Sequence, residues 1–146
     1  MPKAWLIIER LENWQVDAAN SFAFFGLSDR YRNSAAQIEK GDRVYCYVSS
    51  GCSAFSDIRI VKETGLKPLK VQSYDAAFAH YFSTSPQLVL PRAHWVPVKT
   101  IAAELDLTRD RADYRSIFQT SLRKLTEHDS ELLTSRLEQA LASIAA

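Results

Sequence analysis

Apolar residues along the chain follow two spacings, one of strands and one of helices. Ala4-Trp5-Leu6-Ile7-Ile8 is a short apolar run closed by Glu9 and Arg10, the pattern of a buried strand. Arg43-Val44-Tyr45-Cys46-Tyr47-Val48 is rich in β-branched and aromatic residues, a strong strand signal. Period two puts Val44, Cys46 and Val48 on one face and Tyr45 and Tyr47 on the other. The bend Ser49-Ser50-Gly51 predicts a return strand over Phe55 to Lys62. Shorter strands are expected over 69–72, 88–90 and 94–98, with prolines confining the last two to edges, ends or bulges.

The helical spacing predicts a short helix within 13–20 and another capped by Ser28 and running to about Ile38, with Asp29 in its first turn. Phe78, Tyr81 and Phe82 stand at i, i+3 and i+4, which predicts a helix over 75–82. A short helix is expected over 101–105. The last third reads as two helices. One carries the stripe Ile117, Phe118, Ser121, Leu122 and Leu125, the other Leu133, Leu137, Ala140, Leu141 and Ile144. Thr126 with Asp129 three residues on resembles a capping box between them. No repeat or linker interrupts the pattern, so residues 1–146 read as one domain of the α+β class.

Charge narrows the function. The net charge is +1, which supplies no global field toward nucleic acid and argues against a polybasic binder. Local arginine groups stand at Arg30, Arg32 and Arg43 and at Arg109, Arg111 and Arg115. Cys46 and Cys52 are expected to be reduced thiols. His80, His94 and His128 lie far apart, so no metal site is expected, and no cofactor is implied. No apolar run reaches the roughly 18 residues of a membrane span. The opening run is too short for a signal sequence, and a cytoplasmic location is expected.

Three ordered segments carry a family resemblance. The first is the opening strand leading through Glu9-Arg10 to Asn13-Trp14. The second is Phe25-Gly26-Leu27-Ser28-Asp29-Arg30-Tyr31-Arg32-Asn33, running into Ile38-Glu39-Lys40-Gly41-Asp42 and the Tyr45/Tyr47 strand. The third is Ile117-Phe118-Gln119-Thr120-Ser121-Leu122-Arg123-Lys124-Leu125 with the final helix. In this order they resemble the EVE domain, a member of the PUA-like superfamily that also contains the YTH readers of methylated adenine.

The resemblance implies a mixed β-pseudobarrel with flanking helices and a pocket for a flipped, often modified base in DNA or RNA. It carries over to Trp14, to Phe25 and Gly26, to Arg30 and Asn33 and to Tyr47. Many members have Trp where this chain has Phe25, so the family's base preference does not transfer.

These residue types suit the task. Aromatic rings stack on a base for roughly 1–3 kcal/mol each. Trp14, Phe25 and Tyr47 would supply such faces, with Ser49 or Asn33 reading the polar edge. Gly26 would allow close approach to the backbone, and the start of the Ser28 helix, flanked by Arg30 and Arg32, would hold a phosphate. Trp5 and Trp95 read as core. The expected function is therefore a non-catalytic module that recognises a methylated cytosine or adenine. The alternatives are a PUA-like (ASCH-type) nuclease or hydrolase, for which Glu9, Arg10 and Lys62 are scattered candidates, and a protein-interaction domain using the C-terminal helices.

Overall fold

A computed structural model describes residues 2–49, 51–69 and 78–145. Eight strands form one mixed sheet: β1 (Ala4–Glu9), β2 (Phe24–Ser28), β3 (Arg43–Val48), β4 (Ala54–Val61), β5 (Lys67–Pro68), β6 (Phe78–Val89), β7 (Val96–Pro97) and β8 (Leu122–Lys124). The order is β2-β6-β4-β3-β1-β8, with β5 against β6 and β7 against β4. β1 and β3 run parallel, and the other pairs are antiparallel. Among the described residues, three α-helices flank the curled sheet: α1 (Leu11–Ala19), α2 (Arg32–Ala35) and α3 (Glu127–Ala145). This is the expected α+β architecture.

The core lies where the strand faces meet. Leu6, Phe25, Tyr45, Ile58 and Phe82 are all sealed from solvent, and Leu133 and Leu137 of α3 join them. The Tyr45 hydroxyl ties α3 to the sheet through Ser130 Oγ at 2.9 Å and Thr134 Oγ1 at 2.6 Å. Trp5 Nε1 donates to Asp42 Oδ2 at 3.0 Å, which anchors the entry to β3. As the capping pattern required, the Asp129 N–H donates to Thr126 Oγ1 at 3.2 Å at the start of α3.

Several elements differ from their local sequence signal. Residues 78–82 belong to β6, not to a helix, because the aromatic run pairs with β2 on one side and with β5 on the other. Residues 75–77 of that expected helix, and 70–72 of the expected strand, lie outside the described residues. The stretch 117–125 is likewise no helix. A 3-10 segment, Arg115–Gln119, leads into β8, which covers the free edge of β1. The helix expected from Ser28 to Ile38 breaks into a 3-10 turn, Asp29–Tyr31, and the four-residue α2, and Ser28 makes no side-chain cap. Residues 101–104 form turns.

Candidate functional site

The parallel pairing of β1 and β3 brings their C-terminal ends side by side. Ser49, just past β3, donates from its N–H and its hydroxyl to the Glu9 carbonyl at 2.8 and 3.1 Å. α1 then departs from Arg10, whose carbonyl accepts the N–H groups of Asn13 and Trp14. The stretch before β8 folds over the same end. Ile8 N–H donates to the Ser121 carbonyl at 3.0 Å, and Ser121 N–H donates to the Tyr31 hydroxyl at 2.9 Å. Between these parts lies a hollow of about 460 Å³, lined by Ile8, Glu9, Arg10, Asn13, Ser49, Phe78, Phe118, Gln119, Thr120 and Ser121.

Asn13 stands out among them. It is only 7% exposed, yet its amide makes no hydrogen bond with any described residue. Solvent reaches its amide atoms at the hollow, where a polar ligand group fits. The amide offers one acceptor and two donors on a single plane.

A buried ion network fixes α1 and so aims Asn13. Arg59 on β4 is sealed from solvent and donates to Asp17 Oδ2 and to Asp57 Oδ1, both at 2.7 Å. Trp14 Nε1 donates to Asp57 Oδ2 at 2.9 Å, and Ser56 Oγ donates to the same oxygen at 2.8 Å. The Phe22 ring lies 5.1 Å from the guanidinium. It is carried there by a turn in which Ser21 and Phe22 both adopt positive φ, 56° and 57°.

Glu9 completes the network, with its Oε1 3.7 Å from Arg59. Burial pushes the Glu9 carboxyl well above its usual range, and the neighbouring Asp17 carboxylate adds to the rise. Burial raises Asp17 as well, against the pull of Arg59. Both groups are raised, and the rise is the larger at Glu9. Glu9 Oε2 and Asp17 Oδ1 are sealed from solvent and have no hydrogen-bond partner among the described residues.

A second hollow, about 540 Å³, adjoins the first and shares Ser49 and Phe118 with it. Tyr47 and Phe118 stack in its wall, with centroids 4.0 Å apart. Tyr114, Lys99 and Arg115 stand around it, and Gly51, with φ +94°, forms the turn on one side.

The expected site residues divide. Tyr47 and Ser49 line the hollows. Phe25 does not: it is fully buried and stacks on Phe82 at 5.4 Å, so it belongs to the core. Trp14 is partly buried and packs edge-on against Trp95 at 4.9 Å, its N–H committed to Asp57. The three aromatics therefore do not converge on one cavity. Gly26 is a buried residue inside β2, opposite Tyr81, and offers a ligand no approach.

Arg30 is exposed and lies 5.7 Å from the Tyr31 ring, exposed Arg32 pairs with Asp29 at 3.5 Å, and Asn33 is exposed on α2. With α2 only four residues long, the phosphate site expected at the helix start is absent. Asn13 itself has no sequence signal, because an asparagine in a first helical turn reads as a local backbone ligand.

Of the alternative catalytic candidates, Glu9 and Arg10 share the first hollow, while Lys62 lines a separate one between β2, β5 and β6. The fold brings Asp106 to His128 and Asp129, with ligand atoms within 4.8 Å. Those carboxylates are already engaged. Asp129 accepts the N–H groups of Asp106 and Leu107 at 2.6 and 3.0 Å, and Asp106 accepts the Thr126 hydroxyl at 2.7 Å. The cluster ties a loop to α3. No helix among the described residues is long and apolar enough to cross a membrane.

No family model matches the chain, and no curated protein does. Solved structures do match it. A Rhodopseudomonas palustris protein is 15% identical, with 94% of each chain covered and a TM-score of 0.65. The YTH domain of Zygosaccharomyces rouxii MRB1, solved in complex with N6-methyladenosine RNA, is 10% identical over 92% of this chain and 88% of that one, with a TM-score of 0.63. The Mmi1 YTH domain, solved in complex with RNA, is 10% identical over 97% and 82%, with a TM-score of 0.62. The chain has the YTH, PUA-like fold. At these identities the likeness concerns the fold alone.

Proposed function

We propose that the chain is a non-catalytic nucleic-acid-binding module of EVE type, taking one flipped base, a methylated cytosine or adenine, into the hollow beside Asn13. The observation that carries the reading is the Asn13 amide, held on α1 at the hollow and free of hydrogen bonds to the described residues. An amide pairs in bidentate fashion with an edge that presents one donor and one acceptor, as adenine and cytosine do. Phe118 and Phe78 supply aromatic surface, Ser49 a hydroxyl, and exposed Arg10 a cation for the backbone phosphate. Ile8 and Phe78 form the apolar side against which a methyl group packs. YTH domains of this fold solved with RNA support a nucleic-acid ligand.

Binding is favoured over catalysis by the state of Glu9. Its buried carboxyl faces Arg59, and neither Lys62 nor a histidine joins it at the hollow. The test is titration of short single-stranded oligonucleotides with one central cytosine or adenine, methylated and unmethylated, in DNA and RNA. A fully buried methyl adds about 0.8 kcal/mol, roughly a fourfold gain for the modified base. Equal affinity for all would leave a nonspecific strand binder. No binding to any would favour a protein-interaction domain.

A further inference from the structure

The second hollow suggests a ligand larger than one base. It shares Ser49 and Phe118 with the first, so a strand that places a base beside Asn13 continues directly into it. Its aromatic equipment is its own. Tyr114 is only partly buried and meets Phe118 edge-on at 6.3 Å, while Tyr47 stacks on the other ring. Lys99 and Arg115, both exposed, stand on two separate 3-10 segments around this hollow. Neither has an ion-pair partner among the described residues. Two unpaired cations flanking a partly open aromatic are the complement of a base with its phosphate.

We infer that this hollow, with Tyr114, Lys99 and Arg115, seats the nucleotide next in the strand, so that the site reads a dinucleotide step. The inference rests on the base-reading function proposed above. Its occupant is a nucleotide rather than an acidic peptide, because the hollow shares Ser49 and Phe118 with the base site and presents an aromatic face as well as cations.

The experiment compares a nucleoside of the preferred base with dinucleotides carrying that base on either side of a uridine or thymidine, followed by NMR amide shifts up to millimolar ligand. One dinucleotide should bind roughly tenfold tighter than the nucleoside and shift Gly51, Cys52 and Tyr114, which the nucleoside leaves in place. The double variant Lys99→Glu with Arg115→Glu, both at exposed positions, should bind the dinucleotide no better than the unaltered protein binds the nucleoside. A dinucleotide no tighter than the nucleoside, or a gain that survives the double charge reversal, overturns the inference while base reading stands. Failure of nucleoside and dinucleotides alike removes both readings. An acidic peptide that shifts Gly51 and Tyr114, when no dinucleotide does, overturns it in favour of a protein partner.

Discussion

The indole N–H of Trp14 donates to Asp57 Oδ2 at 2.9 Å, joining α1 to the centre of β4. The bond makes Trp14 part of the frame that carries Asn13, not a wall of the hollow. We expect Trp14→Phe to keep the ring packing on Trp95 and Phe22 while removing one hydrogen bond to a carboxylate, at a cost of about 1.5–3 kcal/mol in stability. Urea denaturation measures that loss. Oligonucleotide affinity of the folded variant should hardly move, and a large loss of affinity at unchanged stability would return Trp14 to the site.

Phe25 gives the parallel case for a fully buried ring. Its stacking on Phe82 across β2 and β6 means that Phe25→Ala opens a cavity, with an expected cost of about 3–5 kcal/mol. Thermal unfolding and titration under native conditions separate the outcomes. A stable variant with weakened binding would contradict the core assignment.

These two residues show what the sequence could and could not convey. Strand periodicity marked β1, β3 and β4 because each alternates or runs apolar over its full length. The helix read into 75–82 failed at β6 because i, i+3, i+4 spacing of aromatics also occurs in a long strand, and only pairing with β2 and β5 decides between them. β8 was hidden for a similar reason: its apolar residues acquire meaning only as the cover of an edge. At the site, aromatic identity pointed to Trp14, Phe25 and Tyr47, but composition cannot tell a ring that faces a hollow from one that faces another ring. Asn13 emerges from geometry alone, since its distinguishing property is the partner that it lacks.

The buried carboxyl of Glu9 makes stability depend on pH. The Glu9 carboxyl is raised by burial, so in the folded protein it keeps a proton that the unfolded chain releases near its ordinary value of 4.5. Its contribution is therefore most favourable below about pH 4.5 and declines as pH rises above that value, by up to ~1.4 kcal/mol per unit, until Glu9 itself ionises in the fold. Glu9→Gln has no carboxyl to titrate, and should flatten the decline. Denaturation midpoints of both proteins between pH 5 and about 8 test this, and identical slopes would show that Glu9 is ionised throughout.

Salt dependence reports how many phosphates are held. Arg10, Lys99 and Arg115 are the exposed cations on the two hollows, and none is paired among the described residues. About three contacts to a single strand give a logarithmic slope near −2. Affinities of one oligonucleotide measured from low to high salt supply the value. A slope several times steeper would mean a much broader contact surface than these hollows provide.

Substitution of Asn13 is the sharpest trial of the site, because its two obvious variants differ in chemistry more than in shape. Asn13→Ala removes both donor and acceptor and should weaken binding of the preferred base by about 1–3 kcal/mol. It should cost little stability, since the amide makes no hydrogen bond within the described protein. Asn13→Asp, measured near pH 8 to keep the group ionised, retains the outline but offers only acceptors. Adenine and cytosine present a ring nitrogen acceptor beside their amine, and a carboxylate repels it, so their affinity should fall below that of the alanine variant. Guanine presents two adjacent N–H donors on its Watson–Crick edge, and its affinity should rise relative to both. A reversal of base preference between Asn13 and its aspartate variant would place the amide on the base edge. Unchanged preference in the aspartate variant, with the fold intact, would move the reading of the base away from this residue.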